Sequence, residues 1–299
     1  MKKLYIVIFI LLTLINNAVS SEISLTLEND ILFRTDKYYT HGTLISYSYH
    51  YFKEFLNLNI IAARHSIGQY IYTPSDISEF ELIEDDRPYA GLLYIDNTIL
   101  TKYKNSIYTY GFLIGVIGEH SFAEEIQTKF HDIINVQNPN GWDNQLNNEI
   151  VVNLSLFKRD LYVFENVEAI FYYGGSIGNL NTQLNVGGIL RSKNVWSDYD
   201  LLTIEPFPKY YMEQVKKIKL GLFVGLEGSL VGYNVTLDGN MFSDSHSVDK
   251  KPFIMELFGG FNLSYDNYRL IFSSHIRTKE FEGQKRKFQF SSLSIAYLF

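Results

Sequence analysis

Apolar and polar residues alternate with a period of two along many short stretches of this chain. In residues 150–156 the even positions are apolar, while Asn153 and Ser155 stand between them, and residues 218–226 repeat the pattern. Such alternation indicates β-strands with one apolar face. We place strands near 22–29, 40–52, 57–70, 89–103, 105–118, 147–158, 164–178, 182–191, 218–233, 253–264, 267–277 and 287–299.

A soluble β-sandwich shows the same alternation, so the period alone does not decide the fold class. Three features favour a membrane barrel: charged residues share a face with Gly and Ser, Tyr and Phe cluster near segment ends, and the last strand alternates to a terminal Phe299. We therefore predict an all-β fold, a transmembrane antiparallel β-barrel of about twelve strands. In the last strand, Phe288 and Phe290 occupy even-numbered positions, whereas the apolar series that ends at Phe299 occupies odd-numbered ones. This break in the alternation predicts a bulge or the membrane rim there.

An even number of strands leaves both chain ends on the periplasmic side. The outer loops are then residues 30–39, 71–88, 119–146, 234–252 and 278–286. The connection 192–217 is long and yet falls on the inner side, so either a neighbouring strand is misplaced or the barrel has a large periplasmic segment.

Outer loop 119–146 has a helical pattern of its own, a short helix of about 13 residues. Ser121 followed by Glu124 predicts a capping box. Gln127 and His131 lie one turn apart on a face distinct from the apolar residues Phe122, Ile126, Phe130 and Ile133. A helix in a barrel loop suggests a lid or a site wall, and the alternative is a loop stiffener with a solvated histidine.

The first twenty residues have the pattern of a signal peptide. Lys2 and Lys3 precede an apolar run over 4–15, and small residues around Ser20 suggest cleavage after it. We predict a signal peptide over 1–20 and one barrel domain over 21–299; an uncleaved anchor is the alternative.

Composition narrows the function classes. The formal net charge of −7 argues against a nucleic-acid partner, and the absence of cysteine excludes disulfides, thiolate zinc sites and cysteine nucleophiles. A mean hydropathy of −0.06 argues against a polytopic helical membrane protein.

Polar motifs concentrate at the rims of the first three outer loops. In order, they read END at 28–30, YTHG at 39–42, YTPS at 72–75, DRPYAG at 86–91, a helix with Gln127 and His131, and GWDNQ at 141–145. These blocks resemble the outer-membrane lipid A deacylase family (lipid A 3'-O-deacylase), and the resemblance runs over most of the chain.

The resemblance implies a twelve-stranded barrel with its active site between the wall and a helix from an outer loop. It implies hydrolysis of the 3'-linked acyloxyacyl chain of lipid A with Ca²⁺ and a His-activated water. The family's functional positions match Asn29, Asp30, Thr40, Gln127 and His131. Where some members carry a Lys and a Glu, this chain has Ser78-Glu79 and Gln137.

The residues fit this chemistry on their own terms. His131 is the candidate base, because imidazole titrates near neutrality. Asn29, Asp30 and Thr40 offer oxygen ligands for a metal such as Ca²⁺, although Asn and Asp also open ordinary turns. Arg87 either binds a substrate phosphate or pairs with a carboxylate such as Asp86 or one in the lumen.

Two other functions stay open at this stage: a passive outer-membrane barrel (pore or adhesin), and an outer-membrane phospholipase with a Ser nucleophile. Residues 174–178 match G-x-S-x-G, but they fall inside a predicted strand without a following helix, so we interpret them as small strand residues. We interpret Trp142 as an interface anchor, with a lid residue as the alternative. The expected partners are lipid A (lipopolysaccharide) and the outer membrane, with a monomeric enzyme whose active site faces outward.

Overall fold

Twelve antiparallel strands form a closed barrel in the computed structural model, which describes residues 21–30, 38–55, 58–193 and 217–299. The strands are β1 (Ser21–Asn29), β2 (Tyr38–Phe55), β3 (Leu58–Thr73), β4 (Ala90–Tyr103), β5 (Ser106–Ile117), β6 (Glu149–Val163), β7 (Val167–Gly178), β8 (Asn181–Ser192), β9 (Lys219–Asn234), β10 (Phe253–Tyr265), β11 (Tyr268–Arg277) and β12 (Phe288–Leu298). Two helices lie in the loops, α1 (Ala123–Ile134) and α2 (Val235–Asp238).

Each strand pairs with its neighbours in sequence, and β1 closes the barrel against β12, with Leu27 opposite Leu293. The twelve predicted strands are confirmed, with boundaries that shift by a few residues. The connection between β8 and β9 begins and ends on the side of the short turns, as the strand order requires, and its residues 194–216 lie outside the described residues. The signal peptide predicted over 1–20 lies outside them as well.

Side chains alternate between the outer surface and the lumen, as the period of two predicts. Leu25, Ile45 and Ile67 on three adjacent strands are each 41–49% exposed on the outer surface. The residues between them, such as Ser24 and Ser46, are buried in the lumen. An apolar outer surface of this kind suits the hydrocarbon layer of a membrane.

Paired charges fill the half of the lumen nearest the chain ends. The guanidinium of Arg269 lies 2.6 Å from the carboxylate of Glu22, and that of Arg191 lies 2.8 Å from Glu168. All four side chains are buried. A charge buried in this way is tolerated because its partner and further hydrogen bonds replace water.

Aromatic side chains fill the other half of the lumen. Phe288 and Phe290 are 2% exposed, and both lie with Tyr39 in one apolar cluster that also contains Leu237 of α2. The register between β11 and β12 runs unbroken from Phe288 to Tyr297, so the predicted bulge at these phenylalanines is not there. They are apolar residues that point inward.

The short helix α2 lies over this aromatic cluster. The Asn234 side chain caps it by accepting a hydrogen bond from the Thr236 amide at 3.0 Å, and Leu237 is 2% exposed. Beneath α2 the lumen keeps a cavity of about 260 Å³, lined among others by Glu28 and Arg277. In the described part of the chain, no helix combines the length and the apolar character needed to cross a membrane.

The buried pair of Glu22 and Arg269 leads to a stability prediction. We expect Glu22→Ala to lower the free energy of unfolding by about 3–5 kcal/mol, because it leaves the buried guanidinium without this carboxylate. The matched control is Glu282→Ala, since Glu282 is 69% exposed and pairs with Lys251 at 2.7 Å. The control should cost at most about 1 kcal/mol. Urea unfolding of the folded barrel measures both, and equal losses would contradict the prediction.

Candidate active site

Helix α1 begins without the predicted capping box. The N-cap residue of the helix is Phe122, whose backbone lies in the left-handed region at φ 58°. No side chain forms a capping hydrogen bond there. The Ser121 hydroxyl donates instead to the Gly118 carbonyl at 2.6 Å, within the preceding turn Glu119–Ser121. The helix over 123–134 is confirmed, but the predicted start signal of Ser121 and Glu124 is wrong, because Ser121 ends the preceding turn and its hydroxyl bonds back to Gly118.

Helix α1 lies against the outer face of the barrel wall. The Gln69 side-chain amide on β3 donates to the Ser121 carbonyl at 2.6 Å. On β4, a Cβ at Gly91 would lie 2.2 Å from the Cβ of Ala123, so only glycine allows this approach. Gln69 shares its strand face with Ile67, which is exposed on the outside. The helix therefore lies outside the barrel, against its wall, and its role as a lid or a site wall stays a prediction.

The face of α1 that is turned to the wall carries polar residues. Gln127 and His131 are each 4% exposed. The apolar residues of the helix are exposed instead: Phe122, Ile126, Phe130 and Ile133. His131 is therefore not the solvated histidine of a loop stiffener.

One hydrogen bond fixes the ring of His131. Its Nδ1 lies 2.6 Å from the Gln137 backbone carbonyl. A carbonyl oxygen accepts only, so Nδ1 carries the proton, and Nε2 of the neutral ring is the basic nitrogen. Because the contact uses the backbone of Gln137, it does not depend on the side chain at this position, where the resemblance led us to look for a Glu.

Gln127 is oriented by a residue from the same outer loop. The indole N–H of Trp142 donates to the Gln127 amide oxygen at 3.1 Å. The Gln127 amide nitrogen is buried and has no hydrogen-bond partner among the described residues. Trp142 is 2% exposed and packs on Tyr89, with ring centroids 4.9 Å apart. Trp142 is therefore an internal residue of the site and not the interface anchor that we predicted.

The second outer loop is bound to the third. The side-chain amide of Asn140 donates to the Ser78 carbonyl at 3.0 Å, and that of Asn144 donates to the Phe80 carbonyl at 2.8 Å. Glu79 is exposed between the two acceptors. These bonds hold the segment that carries Trp142 against the loop that follows the YTPS motif.

Asn29 and Thr40 lie in direct contact at the ends of β1 and β2. The Asn29 side-chain amide donates to the Thr40 carbonyl at 2.7 Å, and the Thr40 hydroxyl donates to the Ile71 carbonyl at 3.2 Å. Thr40 occupies a register shift between Tyr39 and His41. Asp30, next to Asn29, is 1% exposed.

Two contacts link this group to helix α1. His41 is the register partner of Asn29, and its ring lies 6.2 Å from that of Phe130. Ile71, whose carbonyl binds Thr40, packs in one cluster with Ala123 and Trp142. The strand residues and the helix residues that the sequence singled out thus belong to one region of the outer rim. Within the described ranges, no three His, Asp or Glu side chains are grouped as metal ligands would be.

The start of α1 is acidic. Partial burial raises the pKa of the Glu124 carboxyl, and the neighbouring carboxylates of Glu125, Asp143 and Glu119 raise it further. A negatively charged patch therefore lies next to the helix face that carries Gln127.

Arg87 lies apart from α1, under the outer loops. Its guanidinium is 3.2 Å from the Glu280 carboxylate, donates to the Thr236 hydroxyl at 2.5 Å and stacks on the Tyr72 ring at 4.7 Å. It is 1% exposed. Of the two alternatives for Arg87, these contacts match the pairing with a lumen carboxylate.

Two serines of the barrel bear on the alternative of a serine nucleophile. Ser176 of the G-x-S-x-G match lies in β7, which continues into β8 without a helix, so it forms no nucleophile elbow. In the lumen, Ser273 Oγ lies 2.8 Å from His275 Nε2, and His275 Nδ1 lies 2.8 Å from the Glu256 carboxylate. Sequence reasoning missed this chain of contacts. The sequence spacing could have indicated only that Ser273 and His275 share one face of a strand. It could not have indicated Glu256, because this residue lies on a different strand, β10.

One solved structure has the same fold. LpxR from Salmonella typhimurium has a similar structure, with a TM-score of 0.78 at 22% identity over 93% of this chain and 100% of that one. The translocator domain of the autotransporter NalP from Neisseria meningitidis has a TM-score of 0.44 at 11% identity, over 95% of this chain and 88% of that one. A search of curated proteins found no match.

A family model settles the classification. The model described as "Outer membrane protein LpxR" matches residues 4–299, which is nearly the whole chain. The chain therefore belongs to the LpxR family of bacterial outer-membrane barrels, the lipid A 3'-O-deacylases, which are carboxylic ester hydrolases.

Proposed function

We propose that this chain, acting as a monomer at the outer rim of the barrel, removes the 3'-linked acyloxyacyl chain of lipid A with a water activated by His131. The observation that carries the proposal is the buried face of α1, where His131 and Gln127 lie against the outer barrel wall. A site on the outer face of the wall suits a substrate held in the membrane. The lumen, by contrast, has paired charges at one end and aromatic rings around the cavity at the other.

His131 acts as the general base. With Nδ1–H donating to the Gln137 carbonyl, Nε2 accepts a proton from the attacking water. The water oxygen bonds to the ester carbonyl carbon, and the bond from that carbon to the sugar oxygen breaks. The proton passes from His131 to this oxygen, which leaves as the 3'-hydroxyl, and the acyl chain leaves as a carboxylic acid.

Gln127 and the strand residues stabilise the charge that develops on the carbonyl oxygen. The buried amide nitrogen of Gln127 is a donor on the same helix face as His131. Asn29, Asp30 and Thr40 offer amide, carboxylate and hydroxyl oxygens, which is the donor chemistry that Ca²⁺ prefers, so these residues fit the cation. When bound there, Ca²⁺ supplies positive charge for the oxyanion. The substrate's own phosphates then approach a rim whose acidic residues are partly neutralised.

The role of His131 leads to the first activity prediction. His131→Ala should reduce the release of the 3'-linked chain by about 10²–10⁴-fold, because general-base assistance contributes this much. Mass spectrometry of lipid A from cells that carry each variant measures the release. Faster gel migration of the unheated barrel shows that the variant is folded.

Ser273→Ala is the matched control, since Ser273 also lies beside a histidine, at 2.8 Å from His275. It should keep wild-type release. Loss of activity in Ser273→Ala with full activity in His131→Ala would replace the proposed mechanism by a serine nucleophile. Unchanged lipid A in cells that express the wild-type chain with Ca²⁺ would contradict the reaction itself.

Metal removal gives a separate prediction. Treatment with a Ca²⁺ chelator should stop acyl release, and added Ca²⁺ should restore it. Asp30→Asn should weaken Ca²⁺ binding by on the order of tenfold, because the charge of the ligands sets the affinity of a calcium site. Isothermal titration of the folded barrel with Ca²⁺ measures the affinity directly. Full release in the presence of the chelator would contradict the dependence on Ca²⁺. Equal Ca²⁺ affinities in the wild-type and Asp30→Asn proteins would contradict Asp30 as a ligand.

A further inference from the structure

Helix α1 exposes its apolar stripe and buries Gln127 and His131, while its charged residues are exposed on a further side. The exposed fractions are 56% for Phe122, 43% for Ile126, 40% for Phe130 and 81% for Ile133. A helix on a water-soluble protein buries its apolar stripe against the core. In α1 that stripe is exposed, with Phe130 in contact with the wall through the His41 ring. Whatever covers the stripe is therefore apolar and is not among the described residues.

The location of α1 indicates what this covering is. The helix packs on the outer face of β3 and β4, through Gln69, Ile71 and Gly91. Ile67 on β3 and Ile95 on β4 lie on the same face and are 49% and 50% exposed. Ile67 is only two residues from Gln69, which is about 7 Å along a strand. The apolar stripe of α1 therefore continues the apolar surface with which the barrel faces the hydrocarbon layer.

We propose that the apolar face of α1 lies in the acyl-chain region of the outer leaflet and is covered by lipid hydrocarbon chains. The contact with lipid depends only on this geometry. Its consequence for catalysis rests on the proposed function: lipid A moves sideways from the leaflet, and its acyl chains lie along α1 while the ester reaches His131.

The absence of cysteine makes the lipid contact directly testable. Single-cysteine variants Ile126→Cys and Ile133→Cys carry a fluorophore, and the barrel is placed in phosphatidylcholine vesicles with brominated acyl chains. Ile67→Cys on the lipid-facing strand is the positive reference. Glu125→Cys, on another exposed side of the same helix, is the matched control.

Labels at 126 and 133 should be quenched to an extent close to the label at 67, and several-fold more than the label at 125. Equal quenching at 125, 126 and 133 would overturn the proposal. This measurement does not use the enzyme reaction, so it stands even where the proposed function fails. In the activity assay, Ile126→Ser with Ile133→Ser should raise KM for lipid A in vesicles and leave kcat unchanged.

A second and independent observation concerns Trp142. An indole N–H only donates, so the Gln127 atom at 3.1 Å has to be the amide oxygen. This contact turns the Gln127 amide nitrogen away from the indole and leaves it buried without a protein partner among the described residues. Tyr89 and the chain at Gly141, where a Cβ would lie 2.8 Å from the Tyr89 ring, keep the indole in place.

We infer that Trp142 is a positioning residue, which sets the direction in which Gln127 donates. The inference rests on the proposed function for its effect on rate. Trp142→Phe keeps an aromatic ring and removes the donor, so kcat should fall roughly five- to tenfold, the value of one hydrogen bond, with KM unchanged.

A double-mutant cycle with Gln127→Ala separates positioning from a general packing effect. If Trp142 acts through Gln127, Trp142→Phe causes no further loss in the Gln127→Ala background; additive losses would overturn the inference. A readout without activity uses the Trp196→Phe background, which leaves Trp142 as the single tryptophan. There, Gln127→Leu should shift the indole N–H vibration toward that of an unbonded indole, and an unchanged vibration would overturn the contact.

Discussion

The closure of the backbone hydrogen bonds around the barrel is the constraint on which the rest of the structure depends. In hydrocarbon no water satisfies a free N–H or C=O, so every strand needs two neighbours and β1 has to meet β12. Closure then fixes the two surfaces, since alternate residues point to lipid and to the lumen. Irregular backbone, outside the regular hydrogen-bond pattern of the strands, is then confined to the two rims of the barrel. Thr40 at its register shift and α1 beyond β5 both lie at the outer rim, and there the candidate site forms.

The filling of the lumen follows from the same closure. A small barrel has to fill its interior with side chains, and this one uses buried ion pairs at one end and aromatic rings at the other. The proposed reaction takes place on the outer face instead, where α1 creates a second, sheltered wall outside the barrel. Between the two walls, His131 and Gln127 are buried although they lie outside the barrel.

The strands were predictable from the sequence because the alternation of apolar and polar residues can be read within each strand alone. Knowledge of the neighbouring strands is not needed to recognise it. The helix was predictable for the same reason. The orientation of the helix was not predictable. The spacing of Ile126 and Phe130 distinguishes two helix faces but does not indicate which of them packs on the barrel wall. The aromatic lumen was missed because Phe288 and Phe290 break a rule that holds only for a polar interior. Contacts between different loops, such as Asn144 with Phe80, had no local signal at all.

The arrangement of α1 also bears on the charge of the chain. An acidic protein that acts on an anionic lipid needs to separate its carboxylates from the path of the substrate. Glu119, Glu124 and Glu125 gather at the start of α1, while the apolar residues occupy a different side of the same helix. Partial burial raises the pKa of the Glu124 carboxyl, and the neighbouring carboxylates of this patch raise it further. In the proposed path, the lipid enters along the apolar side and avoids the patch, and its charged headgroup meets the carboxylates only at the rim. In that proposal, the polarity of one short helix sets both where the ester arrives and where a cation is most needed.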